Sequence, residues 1–150
     1  MPPGERWRAR AATLEAMVLL ARSRWLIARV PFARWRGRLG TPASGRPGDA
    51  QVRLPENLAS RRLARAVERA AARLPGESRC LPKAMALQAM MRRRGYAGVL
   101  TIGVAPGVAR GSLDDLHAWV TSRGEVLVGA SDQLHYPLYA AAFAGKADRK

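Results

Sequence analysis

The amino-acid sequence predicts an α+β fold, and three observations carry that prediction. Apolar residues recur at helical spacing through the first 95 residues; a cysteine and a proline together mark the start of a central helix; and after Gly95 the period changes to that of β-strands joined by a short turn. At 150 residues the chain is long enough to bury roughly two-thirds of its unfolded surface. One domain is expected over 1–150, with a helical extension over 1–40, a linker over 41–54 and a core over 55–140.

Between residues 5 and 30, Trp7, Leu14, Met17, Val18, Leu20, Trp25 and Ile27 fall loosely at helical spacing with Arg on the other faces. This reads as a helix, broken near Ser23 and ended by Pro31. Glu15 and Arg22 interrupt its apolar character, and the run Ala16 to Ala21 is far below the roughly 20 residues a bilayer needs, so neither a signal peptide nor a spanning helix is expected. The plain reading is that this helix packs on the core. The sharper one is that its basic amphipathic surface makes peripheral membrane contact or docks a partner. Phe32 to Leu39 reads as a short helical turn, and Gly40 to Gly48, GTPASGRPG, as a flexible connection. From Asn57 to Leu74 the residues Leu63, Val67, Ala70, Ala71 and Leu74 follow i, i+4, i+7, i+8, i+11, an amphipathic stripe with Arg61, Arg62, Arg65, Arg69 and Arg73 mostly off it. Pro75 and Gly76 stop that helix.

The stretch Ser78 to Tyr96, SRCLPKAMALQAMMRRRGY, contains the single cysteine of the chain, Cys80, at a helix start. Pro82 suits the first turn because its missing N–H would have had no intrahelical partner, and Gly95 after Arg92, Arg93 and Arg94 reads as a C-terminal stop. Unpaired amides and the positive end of the helix dipole favour an anion there, and a thiolate is the form of cysteine that attacks carbonyls. Ala84, Leu87 and Met91, with Leu81, Met85 and Gln88, are the expected buried stripe. Val99 to Val104, VLTIGV, is β-branched and apolar. A turn at Ala105-Pro106-Gly107 and a loop over Ala109 to Asp115 lead to a second strand, Leu116 to Ser122. Arg123-Gly124 then connects tightly to a third, Glu125 to Val128. The tail from Ala140 is rich in small residues and finally charged, and its end is expected to fray.

Composition excludes several classes. One cysteine cannot form an internal disulfide or a thiolate zinc site, which fits a reduced cytoplasmic setting. The net charge of +15, from 26 basic and 11 acidic residues, points to an acidic partner. Nucleic acid is disfavoured, because the 23 Arg and 3 Lys are spread along the chain with no dense arm and no interleaved aromatics. A metal site built from Cys80, His117, His135 and Asp132 lacks any ligand-spacing motif, and no cofactor is expected.

A thiolate nucleophile needs a base, and the base needs a group that holds its ring. Of the two histidines, His117 falls on the second strand, 37 residues after Cys80, and His135 lies in a less regular segment. Strand alternation puts His117, Trp119 and Thr121 on one face and Ala118 and Val120 on the other. The Cys80 helix is expected to pack on the first of these, with Trp119 as a wall of the contact. Asp132, just past the third strand, is the leading orienting acid. Glu125 lies nearer the turn, and Asp114 and Asp115 would need the loop to curl back.

These residues carry a family resemblance. The segment 78–95, followed by LTIGV at 100–104 and HAWV at 117–120, resembles the transglutaminase-like cysteine peptidases of lasso-peptide biosynthesis, which remove the leader from the precursor. FARWRGRLG at 32–40, RRLARAVERAAARLPGESRC at 61–80 and YPLY at 136–139 are similar too. The resemblance implies a papain/transglutaminase-like fold with Cys80 as nucleophile and His117 as general base and then acid. Asp132 would be the third member, slightly displaced from the family's position, or else the pair works as a dyad helped by a carbonyl. It also implies partners: the precursor leader peptide, a small standalone leader-binding protein and an ATP-dependent lasso cyclase. An amide-forming acyltransferase on the same fold and a non-catalytic basic adaptor are the alternatives.

Overall fold

The structure, a computed structural model, describes residues 2–42, 54–76, 79–104, 116–130 and 136–143. Helix α1 (Pro3–Arg29) opens with Pro3, whose fixed φ suits a first helical position. It runs unbroken through Ser23, contrary to the expected break: Ser23 is buried on the same side as Thr13, Ala16, Leu19 and Leu20. Thr13 donates to the Ala9 carbonyl (2.8 Å) and accepts from Arg69 Nε (3.2 Å), so its hydroxyl is satisfied within the buried face. After Pro31 come a single helical turn, α2 (Phe32–Trp35), and a 3-10 turn (Arg36–Arg38). Trp35 is buried with its indole N–H donated to the Val30 carbonyl (3.1 Å).

The connection expected over 41–54 begins instead with a two-residue strand, β1 (Thr41–Pro42); from 43 to 53 it lies outside the described residues. Helix α3 (Leu54–Arg73) starts three residues earlier than its periodicity indicates and buries Ser60, Leu63, Ala64, Val67 and Ala70. Helix α4 (Cys80–Arg93) is central, and Pro82, Ala84 to Gln88, Met90 and Met91 are all buried, a wider face than the expected stripe. Its end is a Schellman arrangement, in which the N–H of Tyr96 bonds to the Met91 carbonyl (3.0 Å) and that of Gly95 to the Arg92 carbonyl (3.2 Å). Buried Gln88 donates to the carbonyls of Leu39 (2.9 Å) and Arg38 (3.2 Å), which fastens the 3-10 turn onto α4. The three long helices pack on one another. Among the described residues no helix is long and apolar enough to cross a membrane.

Among the described residues four further strands, β2 (Gly98–Val104), β3 (Leu116–Ser122), β4 (Glu125–Val128) and β5 (Tyr136–Phe143), form an antiparallel sheet with β1 in the order β1-β5-β2-β3-β4. The β3–β4 turn has Arg123 at φ 56° and Gly124 at φ 78°, the two positive values of a type I′ hairpin. Strand β5 takes in the aromatic-proline segment and the small residues after it, where no strand is expected from the local pattern; the end of the tail, from 144 on, lies outside the described residues. It is paired on both sides, and Pro137 is accommodated because the β2–β5 register shifts between Ile102 and Gly103, where a missing N–H breaks no regular ladder bond.

The register aligns Leu100 with Val120 and Ala141, and Ile102 with Ala118. Together with Val128 and Phe143 these form one buried cluster with the helices. The helical layer therefore covers the Ala118/Val120 face, not the His117/Trp119 face expected from the sequence. The reason lies across the strands: the covered face is apolar on β2, β3 and β5 alike, whereas the opposite one carries Thr101, His117 and Thr121. The fold is α+β, with helices on one side of a small antiparallel sheet.

Candidate active site

Cys80 is the first residue of α4. Arg79 before it is extended, with φ −74° and ψ 168°; among the described residues no side chain caps the helix start, and the first turn contains no acid. The cysteine is a free thiol, partly buried. Its sulfur is held by main-chain groups of β3: the Ala118 N–H donates to Sγ (3.3 Å), and Sγ lies 3.6 Å from the Leu116 carbonyl, to which the protonated thiol donates. Strand β4 pairs with β3 only as far as Val128 opposite Val120, so the sulfur occupies the margin of β3 beyond that pairing. The two residues that grip it flank His117 in sequence. The approach between Cys80 and His117 is thus around the edge of the strand.

The His117 ring is partly buried and stacks on Trp119, with ring centroids 5.8 Å apart and planes 28° apart. Trp119 accordingly lies on the side of the sheet away from the helices and does not wall their contact. His117 Nε2 meets the Gly129 carbonyl oxygen at 2.5 Å. A carbonyl oxygen can only accept, so the proton is on Nε2, and in the neutral ring Nδ1 carries the lone pair. Gly129 reaches this position because of its own conformation. Its φ is +84°, and a Cβ there would overlap the Ala118 carbonyl and press on the Trp119 backbone.

The acids weighed as orienting partners of the ring are placed as follows. Glu125, at the turn end of β4, is engaged by Arg61 through two bonds of 2.8 and 3.0 Å. Asp132, the leading candidate, lies outside the described residues, as do Asp114, Asp115 and His135. The Gly129 carbonyl is a group that residue types do not reveal; its one signal is a glycine directly after the strand. Among the described residues no cluster of His, Cys, Asp and Glu could hold a metal ion.

A helix-start cysteine is thus held against a strand that bears an oriented histidine. The description of the transglutaminase-like superfamily matches residues 16–138. The chain belongs to the transglutaminase-like superfamily. No curated protein and no solved structure matches it. The matched span runs from the middle of α1 into β5 and includes Cys80, His117 and Gly129, so the transglutaminase-like domain contains every part of the site described above. The superfamily includes cysteine proteases and transglutaminases, which puts acyl chemistry on a cysteine within this fold's repertoire.

Proposed function

We propose that this chain is a cysteine peptidase that removes the leader peptide from a ribosomally made lasso-peptide precursor. The observation that carries the chemistry is the sulfur of Cys80 held by the main chain on either side of His117. The finer substrate assignment is supported by the resemblance of the segments around 78–95, 100–104 and 117–120 to lasso leader peptidases.

In this reading His117 Nδ1 takes the proton from the Cys80 thiol while Nε2–H remains bound to Gly129, and the thiolate attacks the carbonyl at the leader–core junction. Amides at the start of α4 stabilise the oxyanion. The imidazolium returns its proton to the departing core amine, and water then hydrolyses the thioester and releases the leader. The ring needs a holder that accepts from Nε2; the Gly129 carbonyl fills that place, and Asp132 is the second candidate for it. A small leader-binding protein presents the precursor, and an ATP-dependent cyclase closes the macrolactam afterwards. If an amine resolves the thioester instead of water, the same site is an amide-forming acyltransferase.

The test is a matched precursor incubated with its leader-binding protein and the wild-type chain or the Cys80→Ala variant, followed by mass spectrometry. Free leader and free core should appear with the wild type and not with the variant, and equal rates would end the proposal. An added amine that appears in the product in place of water would select the acyltransferase reading.

A further inference from the structure

The outward face of α1 is more apolar than a solvated helix surface needs to be. Trp7, Leu14, Val18 and Trp25 are 72, 63, 67 and 59% exposed. At 100° per residue all four fall within an arc of about 40°, and with exposed Ala11 and Ala21 they occupy successive a and d positions of a heptad repeat over about 27 Å of helix. This seam is separate from the buried face of α1, which already packs on α3 and α4. Large apolar side chains in a continuous exposed line mark an interaction surface.

We propose that this seam docks an acidic amphipathic helix of a partner protein. The flanks select the charge of the occupant. Arg8, Arg10 and Arg22 border the seam and are exposed, while Glu15, the acid on its edge, is already bound by Arg93 (3.2 Å) and Arg94 (2.7 Å). The border is therefore cationic on both sides, where Glu or Asp at the partner's e and g positions would pair. A second copy of the chain would set these arginines against themselves, on a molecule of net charge +15. A lipid surface would call for a broad apolar face, whereas the a/d positions here span only about 80°, the width of a helix–helix seam. The inference stands without the peptidase reading, since it concerns binding alone.

The probe is a synthetic peptide of about four heptads with Leu at a and d and Glu at e and g, whose own acidic flanks disfavour self-pairing. Its affinity for the full-length chain is measured by fluorescence anisotropy, alongside the same peptide with Lys at e and g, phosphatidylglycerol vesicles, and sedimentation of the chain alone. The Glu peptide should bind, the Lys peptide should not, and raised salt should weaken the complex. Leu14→Glu with Val18→Glu, both at exposed positions, should melt as the wild type does and bind the Glu peptide at least about tenfold more weakly, the effect of losing a central anchor. Absence of binding, binding unchanged in the double variant, or equal binding of the Lys peptide would overturn the proposal. So would vesicle binding without peptide binding, which would assign the seam to lipid, or a dimer abolished by the double variant, which would assign it to a second copy.

Discussion

The imidazole of His117 is held by a backbone atom, and this makes an otherwise plain glycine critical. At φ +84° an alanine in place of Gly129 is strained in its backbone, and its Cβ overlaps the Ala118 carbonyl. Gly129→Ala should therefore lower stability by about 1–3 kcal/mol, read as a fall in the thermal midpoint, and should shift the carbonyl away from Nε2. Labelling of Cys80 by a thiol reagent across pH separates the two effects: a purely structural change leaves the labelling profile as in wild type, whereas loss of the ring's holder alters it. Much of this site is legible in the residues themselves. Pro82 and Gly95 bracket the helix and place Cys80 at its start, and alternation along LHAWVTS separates His117 from Ala118. The choice of face is not legible, because a two-residue period supplies two faces and gives no sign of which the helices cover. That depends on side chains on β2 and β5, remote in sequence. A carbonyl leaves no trace in residue types at all.

Between elements, Glu15 joins α1 to the C-terminal end of α4. Hydrogen bonding from Arg94 holds its carboxyl below the ordinary value, with Arg93 adding to the effect and partial burial opposing it. Since the folded value is the depressed one, the stabilisation is fully present above the unfolded carboxyl range and is lost as pH falls through the folded value. Glu15→Gln should thus destabilise by about 0.5–1 kcal/mol at neutral pH, discounted for solvent exposure, and the gap to wild type should close in acid. Denaturant midpoints for both proteins at neutral and acidic pH measure this, and a constant difference would contradict the assignment. The helices themselves are readable from their periods, α3 from its stripe and α4 from its punctuation. The continuity of α1 is not, because Ser23 looks like a breaker until the burial of its side of the helix is known.

For the molecule as a whole, a charge of +15 outweighs the ion pairs Arg61–Glu125, Lys83–Glu68 and Glu15–Arg94, which lie at or near the surface. Raising salt over the range where the Debye length falls from about 10 to about 3 Å should raise the thermal midpoint, because screening relieves more repulsion than attraction. A falling midpoint would mean that the pairs dominate. The α+β class is readable from the change of period after Gly95, but the sheet's full width is not. Strand β5 contains a proline and a run of alanines, and its partners lie far away along the chain. Its placement between β1 and β2 has a consequence for biogenesis. Thr41 meets Ala142, about 100 positions downstream, and β2 pairs with β5 on the other side, so both of these ladders can form only when the segment 136–143 has left the ribosome. Until then the nascent chain presents β2 with a bare flank. A chain cut between β4 and β5 should remain receptive to the missing strand supplied as a separate peptide, which makes Tyr136–Phe143 a natural point for splitting the domain into two complementing fragments.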